Sequence, residues 1–481
     1  MRLPKILTAL PVLAAALAVL GLTTTQPSAT SPARPLVDAV PINEYADWNR
    51  TQPHVAYDSI RDRYLFVWRD KRNDPDNLWD QNGDYKFDCN ADIYGRLVAS
   101  NGDVLGTADI HIARDPEVGP RDQQWPYVAY NVVEDEYLVA WQEISPLATP
   151  DDWHSYSYCY DIKAQRLHSD DGSPIGNPIT VSDALDCQWV PAVSYDTGLN
   201  KYLLTWHDHR YRSNQDPPRD YPTKKEIFAQ WLAYDDGELV PQTDGDFLIT
   251  TDFVNPTLPA LEYQQYSDIA YNAETGDHYV FWSDDRLTPE QSEDFDIYFQ
   301  RLPGGSTAAI TNTLIYQAPH IQEKPRAGFN ALTGEVWVVW QSYEARELGE
   351  TGPLAVEMAR LTANGELAGD VRAITSGSGS YPAQAYVLPD VACSSVSGNC
   401  LATWRRGGAM YQLFDETAAP LTAPSPLCQT TTLAAYPRAI ANDKPSRPEF
   451  MMTFSDGGRI YFAVLPDSIP TPTTTPTPTP T

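Results

Sequence analysis

The sequence predicts an all-β chain whose repeats close into a ring, and three observations carry that prediction. First, one unit keeps returning: PHVAYDSIRDRYLFVWRD from Pro53, PYVAYNVVEDEYLVAWQE from Pro126, PAVSYDTGLNKYLLTWHD from Pro191 and SDIAYNAETGDHYVFWSD from Ser267. Weaker copies start at Pro325, Pro389 and Pro437, which makes seven. Second, the apolar runs inside each unit (54–57 and 64–68 in the first) are rich in Val, Tyr, Phe and Trp and too short for helices. Third, the last unit runs out of strands before the chain turns to Thr and Pro, while an unmatched strand, PLVDAVPINEY, precedes the first unit. A period of about 50–75 residues marks a repeat architecture whose units bury their faces on one another. A seven-bladed β-propeller of four-stranded antiparallel blades, closed by an N-terminal strand, satisfies all three.

Taken in order, residues 1–30 read as a signal peptide. Arg2 and Lys5 supply the positive start, an apolar stretch runs over 6–22, and a Thr/Ser/Pro-rich segment follows. Cleavage is expected to leave no transmembrane segment. The propeller is expected over residues 31–468, with the spare strand at 35–45 completing the last blade and removing its open edge. Blade units begin near 53, 126, 191, 267, 325, 389 and 437. Residues 469–481 form a Thr/Pro-rich tail, a composition that makes an extended, stiff spacer.

Bulk charge narrows the partners. A formal net charge of −30 excludes nucleic acid, which requires a basic footprint. The expected state is a monomer, secreted or attached to the cell surface, with a glycan or an extracellular protein as partner.

Each unit continues into a third strand with a signature of its own: DIYGRL at Asp92, DIKAQRL at Asp161, EIFAQWL at Glu226 and DIYFQRL at Asp296. Together with VAYN and YLVAW, this strand resembles the repeats of secreted bacterial propellers related to the TolB-like and WD-like group. The resemblance covers nearly the whole mature chain. It implies the fold and an extracytoplasmic setting, and it carries no catalytic residue. The Ser-x-Asp-x-Gly-x-Thr-Trp box of sialidases is absent from the sequence.

Six cysteines in an exported chain point to disulfides. Cys393 and Cys400 occupy the positions held by Tyr57 and Tyr64, Tyr130 and Tyr137, and Tyr195 and Tyr202 in other units. Residues facing one another across a hairpin lie within bonding reach, so a disulfide is expected there in place of an aromatic pair. Cys89–Cys159 and Cys159–Cys187 stay open as alternatives, and Cys428 is unassigned.

Four groups of residues are candidates for chemistry. DQNGDYKFD places oxygen-bearing side chains at Asp80, Asn82, Asp84 and Asp88, with the Lys86 carbonyl between them. That spacing wraps a loop around a hard cation, and a structural Ca²⁺ is expected there. The loop is similar to those of integrin-type propellers, although Tyr85 stands where a glycine usually makes the turn. Trp-x-Asp-x-Arg recurs as Asp70/Arg72, Asp208/Arg210 and Asp284/Arg286. A device repeated once per blade is structural, and each arginine is expected to lock the hairpin onto Asp92 or Asp296. The spacing of His207 and His209 occurs in metal sites, but no third ligand can be named.

The fourth group lies just before each first strand, where segments should line the central mouth: Trp48, Gln52, Gln124, Trp125, Gln188, Trp189, Gln265 and Tyr266. Aromatic faces beside amides suit sugar rings. No single, unrepeated catalytic constellation stands out in the sequence, so a non-enzymatic recognition module is expected. The alternative is a polysaccharide-acting hydrolase or lyase using two carboxylates of the mouth, drawn from Asp47, Asp122, Asp186, Glu262 and Asp268.

Overall fold

The computed structural model describes residues 37–42, 50–72, 91–113, 122–145, 159–185, 187–210, 224–242, 245–250, 262–287, 294–308, 312–319, 321–344, 351–380, 387–427 and 434–468. These residues form strands and turns, with no helix among them.

The first blade is a meander of Arg50–Asp58, Arg63–Asp70, Asp92–Ala99 and Ile110–Ala113. The same antiparallel meander recurs along the chain. In the third group the outer edge is split between Glu238–Pro241 and Phe247–Leu248, both paired with Lys224–Asp235. A short parallel bridge, Lys224 to Glu262 and Lys225 to Tyr263, ties that group to the next. Each inner strand lies against the inner strand of the following group, and Ala435–Ala441 lies against Arg50–Asp58. The ring is therefore closed. Its last blade takes Val37–Pro41 as outermost strand, antiparallel to Arg459–Pro466, with Val40 opposite Phe462.

The repeated letters have separate physical jobs. In VAYD and VAYN the final residue holds the hairpin turn: Asp58 Oδ1 accepts the amides of Ile60 and Arg61 at 2.9 Å. Asn131, Asp196, Asn272 and Asn330 serve the corresponding turns. The tyrosines before and after the turn face one another, with ring centroids 5.0 Å apart for Tyr57 and Tyr64 and 5.1 Å for Tyr130 and Tyr137. Cys393 and Cys400 stand in that register and are disulfide-bonded. Cys159 bonds Cys187, joining the second blade to the third.

Alternate residues of an inner strand face opposite neighbours. Val55 and Tyr57 pack with Phe462 and Val464 of the last blade, whereas Ala56 packs with Val128 and Trp141 of the second. The second strands carry the largest buried rings, among them Trp68, Trp206, Trp282, Trp340 and Trp404. Burying about 200 Å² of such a ring contributes on the order of 5 kcal/mol.

Trp-x-Asp-x-Arg folds back on itself. Asp70 accepts the Trp68 indole N–H (3.0 Å), the Arg72 amide (2.9 Å) and Arg72 Nε (2.9 Å); Asp284 repeats the pattern, and Asp208 does so with Arg210 Nη2 (2.6 Å) in place of Nε. The expected lock onto Asp92 or Asp296 is thus replaced by partners on the arginine's own motif and the fourth strand: Asp109 for Arg72, Asp246 for Arg210 and Asn312 for Arg286. The reason is the tight return, in which the backbone amide docks first and leaves the guanidinium over its own aspartate. Asp92 lies 3.3 Å from His111 instead. The third-strand aromatic then has its purpose, because Arg72 lies over the Tyr94 ring (3.9 Å), Arg210 over Phe228 (3.9 Å) and Arg286 over Tyr298 (4.5 Å). The second blade has Glu143 without the arginine and, in DIK, Lys163 without the aromatic. The two features are lost together because one exists for the other.

Candidate functional site on the axis

Every first strand is kinked at the residue before its conserved position. Gln52, Trp125, Val190, Tyr266, Lys324, Leu388 and Tyr436 have positive φ, between 47° and 58°. Proline follows at Pro53, Pro126, Pro191, Pro325, Pro389 and Pro437, with Ser267 as the exception. Here the ladder slips register, as between Thr51 and His54 or Gln124 and Tyr127. A proline at the slip forfeits no ladder bond, having no N–H to give. The strained φ persists because the neighbouring blade holds the amide: Trp125 N–H donates to Gln52 Oε1 (2.8 Å), Val190 N–H to Gln142 Oε1 (2.8 Å) and Lys324 N–H to Ser283 Oγ (3.0 Å).

One residue past the proline, the blades contribute His54, Tyr127, Ala192, Asp268, Arg326, Asp390 and Arg438. In this layer the repeat breaks. Asp268, Arg326, Asp390 and Arg438 follow one another round the ring with alternating charge, and the tilted rings of His54 and Tyr127 lie beside them with centroids 4.3 Å apart. Arg326 Nη1 donates to Asp268 Oδ1 (3.2 Å), and Arg438 lies 3.9 Å from Asp390. The inner edges of the strands present unpaired amides here. Asp268 Oδ2 accepts Ala327 N–H (2.9 Å), Asp390 Oδ2 accepts Ala439 N–H (2.8 Å) and His54 Nδ1 accepts Val128 N–H (3.4 Å).

Burial sets the protonation of this layer. It pushes Asp268 up to about 7, with the charge of Asp390 adding to the effect. It also raises Asp390, against which Arg438 and Arg326 act in the opposite sense. Burial first, then the two arginines, holds His54 well below the ordinary histidine range.

The mouth residues expected from sequence separate into three sets. Gln52, Trp125 and Tyr266 are kink residues, and Trp125 reaches Tyr436, with the first blade between their own. Gln124, Trp189 and Gln265 stand one residue earlier. In QWVP a valine intervenes between the tryptophan and the proline, so Trp189 turns into its own blade, against His207 and His209 (centroids 5.7 and 5.0 Å). Gln265 accepts Lys225 Nζ at 2.9 Å. Gln188 is fully buried and donates to the Ala184 carbonyl. Trp48, Asp47, Asp186 and the whole 80–88 loop, with Asp80, Asn82, Asp84, Lys86 and Asp88, lie outside the described residues.

Of the carboxylates considered for catalysis, Asp122 is tied to Arg69 (3.0 Å), whereas Asp268 sits on the axis. Sequence reasoning missed Asp390, Arg326, Arg438, His54 and Tyr127. Their signal was present as variation, since this one position changes from each repeat to the next while its neighbours stay alike.

No family model matches the chain, and neither does any curated protein. Among solved structures it is similar to a protein of unknown function from Dyadobacter fermentans, with 13% identity, a TM-score of 0.51, and 91% of this chain and 100% of that one covered. It is also similar to the polysaccharide lyase Uly1 (8% identity, TM-score 0.49, 86% and 90% covered). A third is the Penicillium chrysogenum alpha-L-arabinanase complexed with arabinobiose (10% identity, TM-score 0.44, 69% and 90% covered). At these identities the likeness is one of fold.

Proposed function

We propose that this chain is a secreted, seven-bladed, glycan-acting propeller enzyme working on its axis. One observation carries the reading: Asp268, Arg326, Asp390 and Arg438, with His54 and Tyr127, form a titratable cluster on the inner strands, where the blades meet. The case for a pure binding module rested on the lack of such a cluster in the sequence. Two carboxyl groups in one buried cluster suit acid–base work. Asp268, raised into the neutral range by burial, is the proton donor to a departing glycosidic oxygen. Asp390, 3.9 Å from Arg438, is the partner group that either activates water or takes the opposing proton.

The experiment is turnover of a polysaccharide panel, reading both new reducing ends and unsaturated products. Release of either by the wild type, and its loss in Asp268→Asn, is the expected result. Binding without turnover of any polymer returns the chain to the recognition class.

A further inference from the structure

We propose that the axial site takes an acidic glycan, whose carboxylate or sulfate group is received by Arg438 and Tyr127. This rests on the glycan-acting reading above. Both side chains are buried, Tyr127 at 4% exposure and Arg438 at 5%. Among the described residues, Tyr127 Oη and Arg438 Nε have no hydrogen-bond partner. The Arg438 contact with Asp390, at 3.9 Å, is too long for a hydrogen bond. Two desolvated donors of the same axial layer, with His54 against one and within electrostatic reach of the other, therefore stand without an acceptor, and a ligand that belongs there brings acceptors with it.

Charge makes the acceptor anionic. Tyr127 lies against His54 and beneath the Arg326 guanidinium, 5.1 Å from its ring centre. Arg326 and Arg438 act on each other as like charges, which helps hold Arg326 below its ordinary range. Asp268 answers Arg326 at 3.2 Å, while Arg438 has only the distant Asp390. Lys324, over the Tyr266 ring at 4.9 Å, is already paired to Glu323 at 2.6 Å. In a chain of net charge −30, Arg326, Arg438 and Lys324 are each matched by an acid, and Arg438 has the longest of these pairings. A guanidinium edge offers paired donors to the two oxygens of a carboxylate or sulfate, and a neutral hydroxyl matches it poorly.

Calorimetry with oligogalacturonate and with the same oligosaccharide after carboxyl reduction tests the proposal. Dextran sulfate against dextran separates a sulfate from a carboxylate preference. The expected result is a charged form bound at least about tenfold more tightly than its neutral counterpart. Tyr127→Phe, which removes one oxygen, and Arg438→Gln should each erase most of that ratio. Equal binding of charged and neutral forms overturns the proposal, as does a preference that both substitutions leave intact. Tight binding of an acidic polymer without turnover would instead reject the catalytic reading and keep this one. Equal turnover of reduced and unreduced polymers would do the reverse.

Discussion

Trp125 meets Tyr436 edge to face at a centroid separation of 5.8 Å, although the whole first blade lies between the strands that carry them. Two kinked residues thus bridge a third, Gln52, whose side-chain oxygen holds the Trp125 amide. Gln52→Ala leaves that amide without its acceptor in a strained conformation. A loss of about 1–3 kcal/mol in denaturant unfolding is expected. An unchanged midpoint would mean the kink holds without its neighbour.

Asp268 gives the fold a pH dependence of known sign. Its carboxyl is raised from an unfolded value of about 3.9 to about 7, so protonation favours the folded state. That contribution is fully present below about pH 4 and is lost as pH rises through about 7, by on the order of 4 kcal/mol. His54, held low by burial, works in the opposite direction as pH falls. The difference between wild type and Asp268→Asn isolates the term. Parallel stability profiles for the two proteins from about pH 4 to 8 would remove Asp268 from the account.

The sixth-blade disulfide substitutes for an aromatic pair, and the exchange should be reversible. Replacing both Cys393 and Cys400 by serine should cost about 2–3 kcal/mol, as expected for a short closed loop. Tyrosine at both positions, the arrangement of the first three blades, should recover part of that loss. Thermal melts that rank Tyr/Tyr with Ser/Ser would deny the equivalence.

Calcium at residues 80–88 is a proposal that stability can test. Saturation at one hundred times the dissociation constant should stabilise the fold by about 2.7 kcal/mol. The melting temperature should therefore rise with calcium, fall in chelator, and respond to neither in Asp84→Ala. Identical melts in both conditions would leave the segment an ordinary acidic loop.

Much of the fold was legible because its devices repeat. The turn-holding Asp58 and Asn131, the facing tyrosines and the Trp68–Asp70–Arg72 return each appear in several copies, so their spacing exposes their geometry. The site was legible only in part. A search for recurring aromatics finds Trp125 and Tyr266 but misplaces Trp189, since one inserted residue before a proline rotates a side chain out of register. Asp390, Arg326 and Arg438 are invisible to the same search. They come together only when strands far apart in the chain converge on one axis, at a position that changes from one repeat to the next.

The strand Val37–Pro41 completes a sheet whose partner, Arg459–Pro466, lies near the far end of the propeller. On a chain made from its N-terminus, the earliest strand of the ring must wait for the latest before it finds its place. Until then the last blade has an open edge and the first blade lacks one neighbour. Ring closure therefore becomes the final folding event, reached once almost the whole sequence is available.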